Sequence, residues 1–405
     1  MSIKILCPPY VQAVLKALHD AGHEAYIVGG CVRDSLLGTV PKDWDVTTSA
    51  HPEQTEQAAL ASGLKTFRTG IKHGTISVLS DGVTVECTTF RIDGDYKDSR
   101  HPESVKFTPS LEEDLARRDF TVNAMAAAPS ADGWEIIDPF GGRDDLESGT
   151  IRCVGNPIKR FGEDALRILR GVRFAARLGF SIEEKTANAM YAAAGGLKSI
   201  SRERVREELM GILQSPDPEW AIKTMKKRGF LKYVFPYADV TAAARGVNET
   251  PADQPLFRLA FLLYSTPDDA VQKTTADLKM SGADAGFVRT LLAFRAEKLE
   301  NSPLFARKMI AKYGEVTLPA LSLRAAKGED TAALSDVVSE QMHAGVCVKI
   351  SDLAVNGADL ASIGIPKGRE MGRVLNALLA RVMEDPALNQ KDVLLALAAD
   401  IYKEN

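Results

Sequence analysis

Apolar positions in the first part of the chain keep changing their period. Residues 11–22 repeat them every three to four positions and stop at Gly22, which predicts a helix. EAYIV (24–28) reads as a short buried strand, and GGCVRDSLLG (29–38) as a turn running into a helix that ends at Gly38. DWDVTTS (43–49) alternates like a strand. Residues 74–92 read as two strands joined at Asp81–Gly82, a pair favoured in two-residue hairpins. The polar, charge-rich stretch 93–107 predicts a loop, and WEIIDPF (134–140) a strand closing on Gly141–Gly142. Beyond residue 148 the period-two signal fades. Helical spacing takes over at 162–179, 184–196, 201–215 and 219–229, with breaks near 236–256 and 363–368. The pattern predicts an α+β head followed by a long all-helical remainder.

Composition narrows the class. A chain of 405 residues is long enough for two to four domains. It is 45% hydrophobic and 26% charged, as soluble globular proteins are. No run of eighteen apolar residues occurs, so no membrane span is expected. Pro8 and Pro9 interrupt the short apolar start, which does not read as a signal peptide, so a cytoplasmic protein is expected. The five cysteines are scattered and odd in number, without a C-x-x-C pair. They argue against a disulfide framework or zinc site and read as small buried residues. His19–Asp20 is the only His-Asp dipeptide, and His19 reads as a surface residue. The net charge of −4 speaks against a nonspecific nucleic-acid binder. Charge location matters more than its sum, however, and basic residues cluster at 117–118, along 160–177, at 202–206 and at 226–228.

The chemistry concentrates in YIVGGCVRDSLLGTVPKDWDVTTS (26–49). Asp43 and Asp45 are one residue apart on a strand candidate, so a period of two puts both carboxylates on one face. Two adjacent acids repel unless a cation sits between them, and Mg²⁺ favours carboxylate and phosphate oxygens. Glu86, on a second strand candidate, could supply a third oxygen ligand. Such a set suits a pair of ions that activate a hydroxyl and stabilise a leaving pyrophosphate. Gly29 and Gly30 precede a helix, where backbone N–H groups can approach a phosphate, and Arg33 can add a charge-assisted bond.

GGCVRDSLLG followed by DWD resembles the signature of class II tRNA nucleotidyltransferases and the related bacterial poly(A) polymerases, within the polymerase-β-like nucleotidyltransferase superfamily. LARRDFTVNAMA (115–126) is similar to a second family motif. By that resemblance Arg118 contacts the nucleotide, while Asp119 and Asn123 form a polar pair near the ribose. EDALRILRGVRF (163–174) resembles the family's nucleotide-selecting helix. Asp164 and Arg167 are three apart, hence neighbours on one helical face. A carboxylate accepting the amino proton and a guanidinium donating to ring acceptors would take cytosine and adenine and reject guanine and uracil. The resemblance also assigns Arg170 and Arg173 to the nucleotide site. Helical drift carries Arg173 nearly opposite Asp164, and a basic face turned to RNA is the other reading of both arginines.

The resemblance is specific over residues 23–215 and looser beyond. It implies a nucleotidyltransferase head (1–147), a helical neck for nucleotide selection (148–215), a helical body (216–320) and a helical tail that binds tRNA (321–405). The expected activity is untemplated addition of CCA to the 3′ end of tRNA from CTP and ATP, with magnesium as cofactor. SRERVREEL (201–209) resembles a helix that buttresses the nucleotide site. In complete CCA-adding enzymes an element at the position of the loop 93–105 helps the switch from C to A, which argues against a CC-only enzyme. A-addition alone and poly(A) addition are the sibling activities. A decayed noncatalytic scaffold would have lost acids of the trio, and a small-molecule nucleotidyltransferase would lack the selecting helix. No membrane association is expected, and no protein partner is evident from the sequence.

Overall fold

The computed structural model describes residues 5–93, 105–131 and 133–403. They divide into two compact units, one up to Thr241 and one from Ala242 onward.

The first unit opens with α1 (Pro9–Asp20), where Pro9 starts the helix and Val11, Val14, Leu15 and Leu18 form its buried stripe. β1 (Ala25–Val28) runs into α2 (Gly30–Leu36), then β2 (Asp45–Thr48) and α3 (Pro52–Ala61). β3 (Lys65–Gly70), β4 (Thr75–Ser80) and β5 (Val83–Thr89) follow. Asp81 and Gly82, at φ 49° and 77°, make the two-residue turn between β4 and β5. β6 (Arg91–Asp93) pairs with β7 (Val105–Phe107), so the end of the stretch 93–107 expected as a loop is a strand, and residues 94–104 lie outside the described residues. α4 (Leu111–Ala116), β8 (Ala126–Ser130), β9 (Gly133–Ile137) and α5 (Gly142–Glu147) complete the head.

Its sheet has seven strands in the order β3-β4-β5-β2-β1-β8-β9. Only β2 and β5 pair in parallel among these neighbours. Asp45 stands opposite Glu86 in that register, and Val46 opposite Cys87. Because strand side chains alternate, the Val46–Cys87 pair is buried while Asp45 and Glu86 face outward together.

A short strand β10 (Thr150–Ile151) then leads into α6 (Pro157–Glu163) and α7 (Leu166–Leu178). The helix expected over 162–179 is therefore two. Asp164, at φ −145° and ψ 103°, is extended and breaks them. β11 (Ser181–Ile182), α8 (Glu184–Ala193), α9 (Arg202–Leu213), α10 (Pro218–Lys227) and α11 (Leu231–Val234) follow. α7 packs on α9, and Gly171 makes room for Phe120 and Met190, since a Cβ there would lie 2.8 Å from the Phe120 ring.

The second unit contains α12 (Pro255–Leu262), α13 (Asp268–Asp277), α14 (Gly282–Ala293), α15 (Pro303–Tyr313), α16 (Thr317–Ala326) and α17 (Ala332–His343). It ends with α18 (Gly357–Ser362), α19 (Arg369–Glu384) and α20 (Lys391–Lys403). Its last helices close around Leu360, Val374, Leu378 and Leu394. Arg307 of this unit is tied inward, donating to the Met383 carbonyl at 2.7 Å and to Gln341 at 2.7 Å.

All five cysteines are buried, as expected for small core residues. Burial pushes the Cys31 thiol up to about 11 and that of Cys7 to about 12. His19 is exposed. Among the described residues no helix is long and apolar enough to cross a membrane.

Candidate active site

A cleft of about 680 Å³ opens in the first unit, lined by the β1–α2 turn, the start of β2, the segment after α4, the first turns of α7 and one residue of α9. Its floor is acidic. Asp43 precedes β2 rather than lying within it, which corrects the single-strand reading of 43–49, yet Asp43 and Asp45 both line the cleft. Glu86 is the register partner of Asp45 on β5. Asp45 has a raised pKa. Withdrawal from water is the largest cause, Arg118 opposes it, and the charges of Glu86 and Asp43 add to it. Three acids are thus near enough to repel one another. Among the described residues no group of three or more His, Cys, Asp or Glu side chains could hold a metal ion, and Asp43 and Asp45 line the cleft while Glu86 does not.

One amide of the glycine turn is bonded inside the protein. The Gly29 amide donates to the Met125 carbonyl at 3.0 Å, so that donor is already used. What Gly29 supplies is conformation and room. Its φ is 80°, and a Cβ would lie 2.9 Å from Arg118 Nη1. Arg33, only 3% exposed, donates from Nη1 to Asn123 Oδ1 at 2.6 Å and from Nε to Asp34 at 2.8 Å.

Behind this turn runs a relay of charges. Asn123 Nδ2 reaches Asp119 Oδ1 at 3.5 Å, and Arg170 Nε donates to Asp119 Oδ2 at 2.7 Å. Burial works to raise the pKa of Asp119, but Arg170 and the hydrogen bonds outweigh it and hold the carboxyl below the usual range. Asp114, fully buried, gathers Arg117 Nε at 2.9 Å, Arg118 Nη2 at 3.4 Å and Thr47 Oγ1 at 3.2 Å. Arg118 Nε is buried without a hydrogen-bond partner.

Asp164 and Arg167 both line the cleft, but they are not one pair on one helical face. Asp164 sits at the break before α7, its Oδ1 accepting from the Leu166 amide at 2.9 Å and its Oδ2 from Arg204 at 2.7 Å. Arg167 Nη1 instead donates to Glu163 at 2.8 Å and to the Arg160 carbonyl at 3.1 Å. Arg170 and Arg173 also line the cleft, which the drift argument did not anticipate for Arg173. Arg170, Arg173, Phe174 and Arg177 are spaced i, i+3, i+4 and i+7, so they form one stripe of α7. Glu208 of α9 holds Arg173 Nε at 3.1 Å, with Arg170 Nη1 at 3.8 Å. The guanidiniums of Arg33, Arg170 and Arg173 lie 5.1–5.5 Å from the Phe174 ring.

Residues 25–152 match the model of the Poly A polymerase head domain, and residues 256–398 that of tRNA nucleotidyltransferase domain 2. A CCA-adding enzyme of Leuconostoc mesenteroides is 36% identical over 398 residues, covering 97% of this chain and 96% of that one. The chain belongs to the CCA-adding enzyme family. A CCA-adding enzyme of Ligilactobacillus salivarius is 33% identical and covers 96% of each chain. The solved structure of Bacillus stearothermophilus CCA-adding enzyme in complex with CTP superposes with a TM-score of 0.84 at 30% identity, covering 98% of this chain and 99% of that one. The model of an RNA and SrmB binding site of polymerase A matches residues 179–241. CCA-adding enzymes are generally metal-dependent.

Against this family pattern, the motif reading found the acids, the turn and the start of α7, and missed their supports. Asp114, Glu163, Phe174 and Glu208 were not singled out, and Arg177 and Arg204 entered only as members of basic clusters. Arg204 and Glu208 lie in the SRERVREEL stretch read as a buttress, which was the available signal.

Proposed function

We propose that this chain adds C, C and A to the 3′ end of tRNA from CTP and ATP, releasing pyrophosphate. One observation carries the reading. A single cleft gathers an acidic floor, a crowd of arginines and the Asp164–Arg167 stretch, so hydroxyl activation, triphosphate binding and base selection share one place.

Asp43 and Asp45 would hold Mg²⁺, with Glu86 behind Asp45 as the third acid. The fit is sound because Mg²⁺ is commonly held by one or two carboxylates and completed by phosphate and water oxygens. Bound there, magnesium supplies Lewis-acid charge to the attacking hydroxyl and the departing pyrophosphate. Arg118, whose Nε has no hydrogen-bond partner, lies beside Gly29 and Asp114 and would meet the nucleotide. Arg33, Arg170 and Arg173 make that side of the cleft positive, and Asn123 and Asp119 stand between them as the pair near the ribose. Asp164 accepts the amino proton of cytosine or adenine, and Arg167, fixed by Glu163, donates to the ring. Guanine and uracil would meet like with like at both places, a loss of order ~1–3 kcal/mol each.

The head (1–147) would then carry the chemistry and the neck (148–215) the choice of base. The body (216–320) and tail (321–405) would grip tRNA through phosphates and shape, in the cytoplasm.

Asp43→Ala tests the acidic floor. Incorporation of CTP and ATP should vanish while tRNA affinity stays within about twofold, because a metal ligand and not a phosphate contact is lost. Full incorporation by that variant in Mg²⁺ would refute the assignment.

A further inference from the structure

Arg204 has no assigned task, yet it is the residue that touches the base-reading acid. It projects from the first turn of α9, forty residues beyond Asp164, and its Nη2 donates to Asp164 Oδ2 at 2.7 Å. The other oxygen, Oδ1, accepts from the Leu166 amide at 2.9 Å. The carboxylate is therefore held on both sides, by the start of α7 and by a guanidinium from α9. Arg167 is bound to Glu163.

The grip matters because Asp164 lies outside a helix. The terminal torsion of an Asp side chain is broad and two-fold, so one backbone bond leaves the carboxylate plane loosely set. A second, charge-assisted bond from a planar fork fixes it. A carboxylate offers about four lone-pair sites, so two bonds leave others to accept an amino proton. A carboxylate is an acceptor only, which matches an amino donor.

Two further observations separate this from a plain strut between helices. Arg204 lines the cleft, and its Nη1 is buried with no hydrogen-bond partner, whereas a strut satisfied by Asp164 alone would not bury a second donor unpaired. The same face of α9 continues with Glu208, four residues on, holding Arg173, and with Gly211, where a Cβ would lie 2.6 Å from Arg173 Cδ. That face of α9 is shaped to the cleft's arginines.

We propose that Arg204 is a positioning residue for base selection, holding the Asp164 carboxylate in the orientation that accepts the amino group shared by cytosine and adenine. The inference rests on the base-reading role of Asp164 given above.

The test measures kcat/KM for CTP, ATP, UTP and GTP on a tRNA transcript lacking its CCA end. It uses the full chain, Arg204→Met, Arg204→Lys, Asp164→Ala and the Arg204→Met/Asp164→Ala double variant. Arg204→Met should lower the preference for CTP over UTP and for ATP over GTP by about tenfold, the effect of losing one charged hydrogen bond. Arg204→Lys, which keeps the charge without the fork, should fall between. In the Asp164→Ala background Arg204→Met should cost no further selectivity. Equal loss with all four nucleotides, or an additional selectivity loss in the double variant, would overturn the role of Arg204 while leaving that of Asp164 standing. Unchanged selectivity in Asp164→Ala would overturn the reading of Asp164 itself, and Arg204's role with it. Should Arg204→Met fail to fold, Arg204→Lys decides, because a strut predicts native selectivity for it.

Discussion

Replacing Asp119 by Asn tests whether the charge relay behind the glycine turn holds the cleft together. Asp119 is 9% exposed and takes bonds from the Phe120 amide at 2.9 Å, Arg170 Nε at 2.7 Å and Asn123 Nδ2 at 3.5 Å. Removing one partner of a fully buried ion pair costs about 3–5 kcal/mol, whereas exposed pairs are worth under about 1. The Arg170 side chain is 36% exposed and has Glu208 at 3.8 Å as a second acid, so the upper figure must be discounted. Asn keeps the shape and can still accept from the Phe120 amide. The expected loss is about 1–3 kcal/mol of unfolding free energy. Urea unfolding of the parent, Asp119→Asn, Arg170→Met and the double variant measures the coupling directly. The two singles should share most of their cost, with a coupling of about 1–3 kcal/mol. The KM for CTP should rise in both. Additive losses within about 0.5 kcal/mol would refute the relay. So would a loss in Asp119→Asn that leaves nucleotide binding untouched.

Two other perturbations follow from separate parts of the structure. Gly29→Ala places a side chain at φ 80° and 2.9 Å from Arg118 Nη1, so stability should fall by about 1–3 kcal/mol and the KM for both nucleotides should rise; native melting and kinetics would contradict the geometry. Lys327 lies with its ammonium 3.2 Å from the Phe261 ring centre, and burial pushes its pKa down to about 8, so the unfolded chain binds the extra proton between about pH 8 and the ordinary lysine value of about 10.4. Across that window the stability of the parent relative to Lys327→Met should rise with pH; a difference that stays flat or falls there would contradict it.

Much of the head could be read from the chain because its signals are local. The Asp81–Gly82 turn, the helix opened by Pro9 and the Gly29–Gly30 turn each declare themselves within a few residues. β8 did not, because Ala126–Ser130 is rich in alanine, which carries no strand preference. It is placed only by pairing with β1 and β9. α3 and β3 were also not read, and their residues alternate weakly between buried and exposed. In the site, spacing located Asp164 and Arg167 but not their partners. A helix broken at an extended residue reads in sequence like a continuous one. The same break explains Arg173: drift measured from Asp164 fails when Asp164 is not on the helix, and the cleft follows the stripe from Arg170 to Arg177 instead. Asp114, Arg204 and Glu208 act across long stretches of chain, and pairings of that kind exist only once the fold has formed.

One cleft, without a nucleic-acid template, is expected to write a defined three-nucleotide end. Transcripts of tRNA lacking all three terminal nucleotides, carrying the first C, or carrying both, should be incubated with CTP, ATP or both in Mg²⁺ and sized at single-nucleotide resolution. CTP alone should extend the shortest transcript by two and then stop, ATP alone should extend only the transcript already ending in CC, by one, and the two together should finish every transcript at CCA. Products limited to a single A from any start, or a ladder of added A running past the third nucleotide, would contradict it.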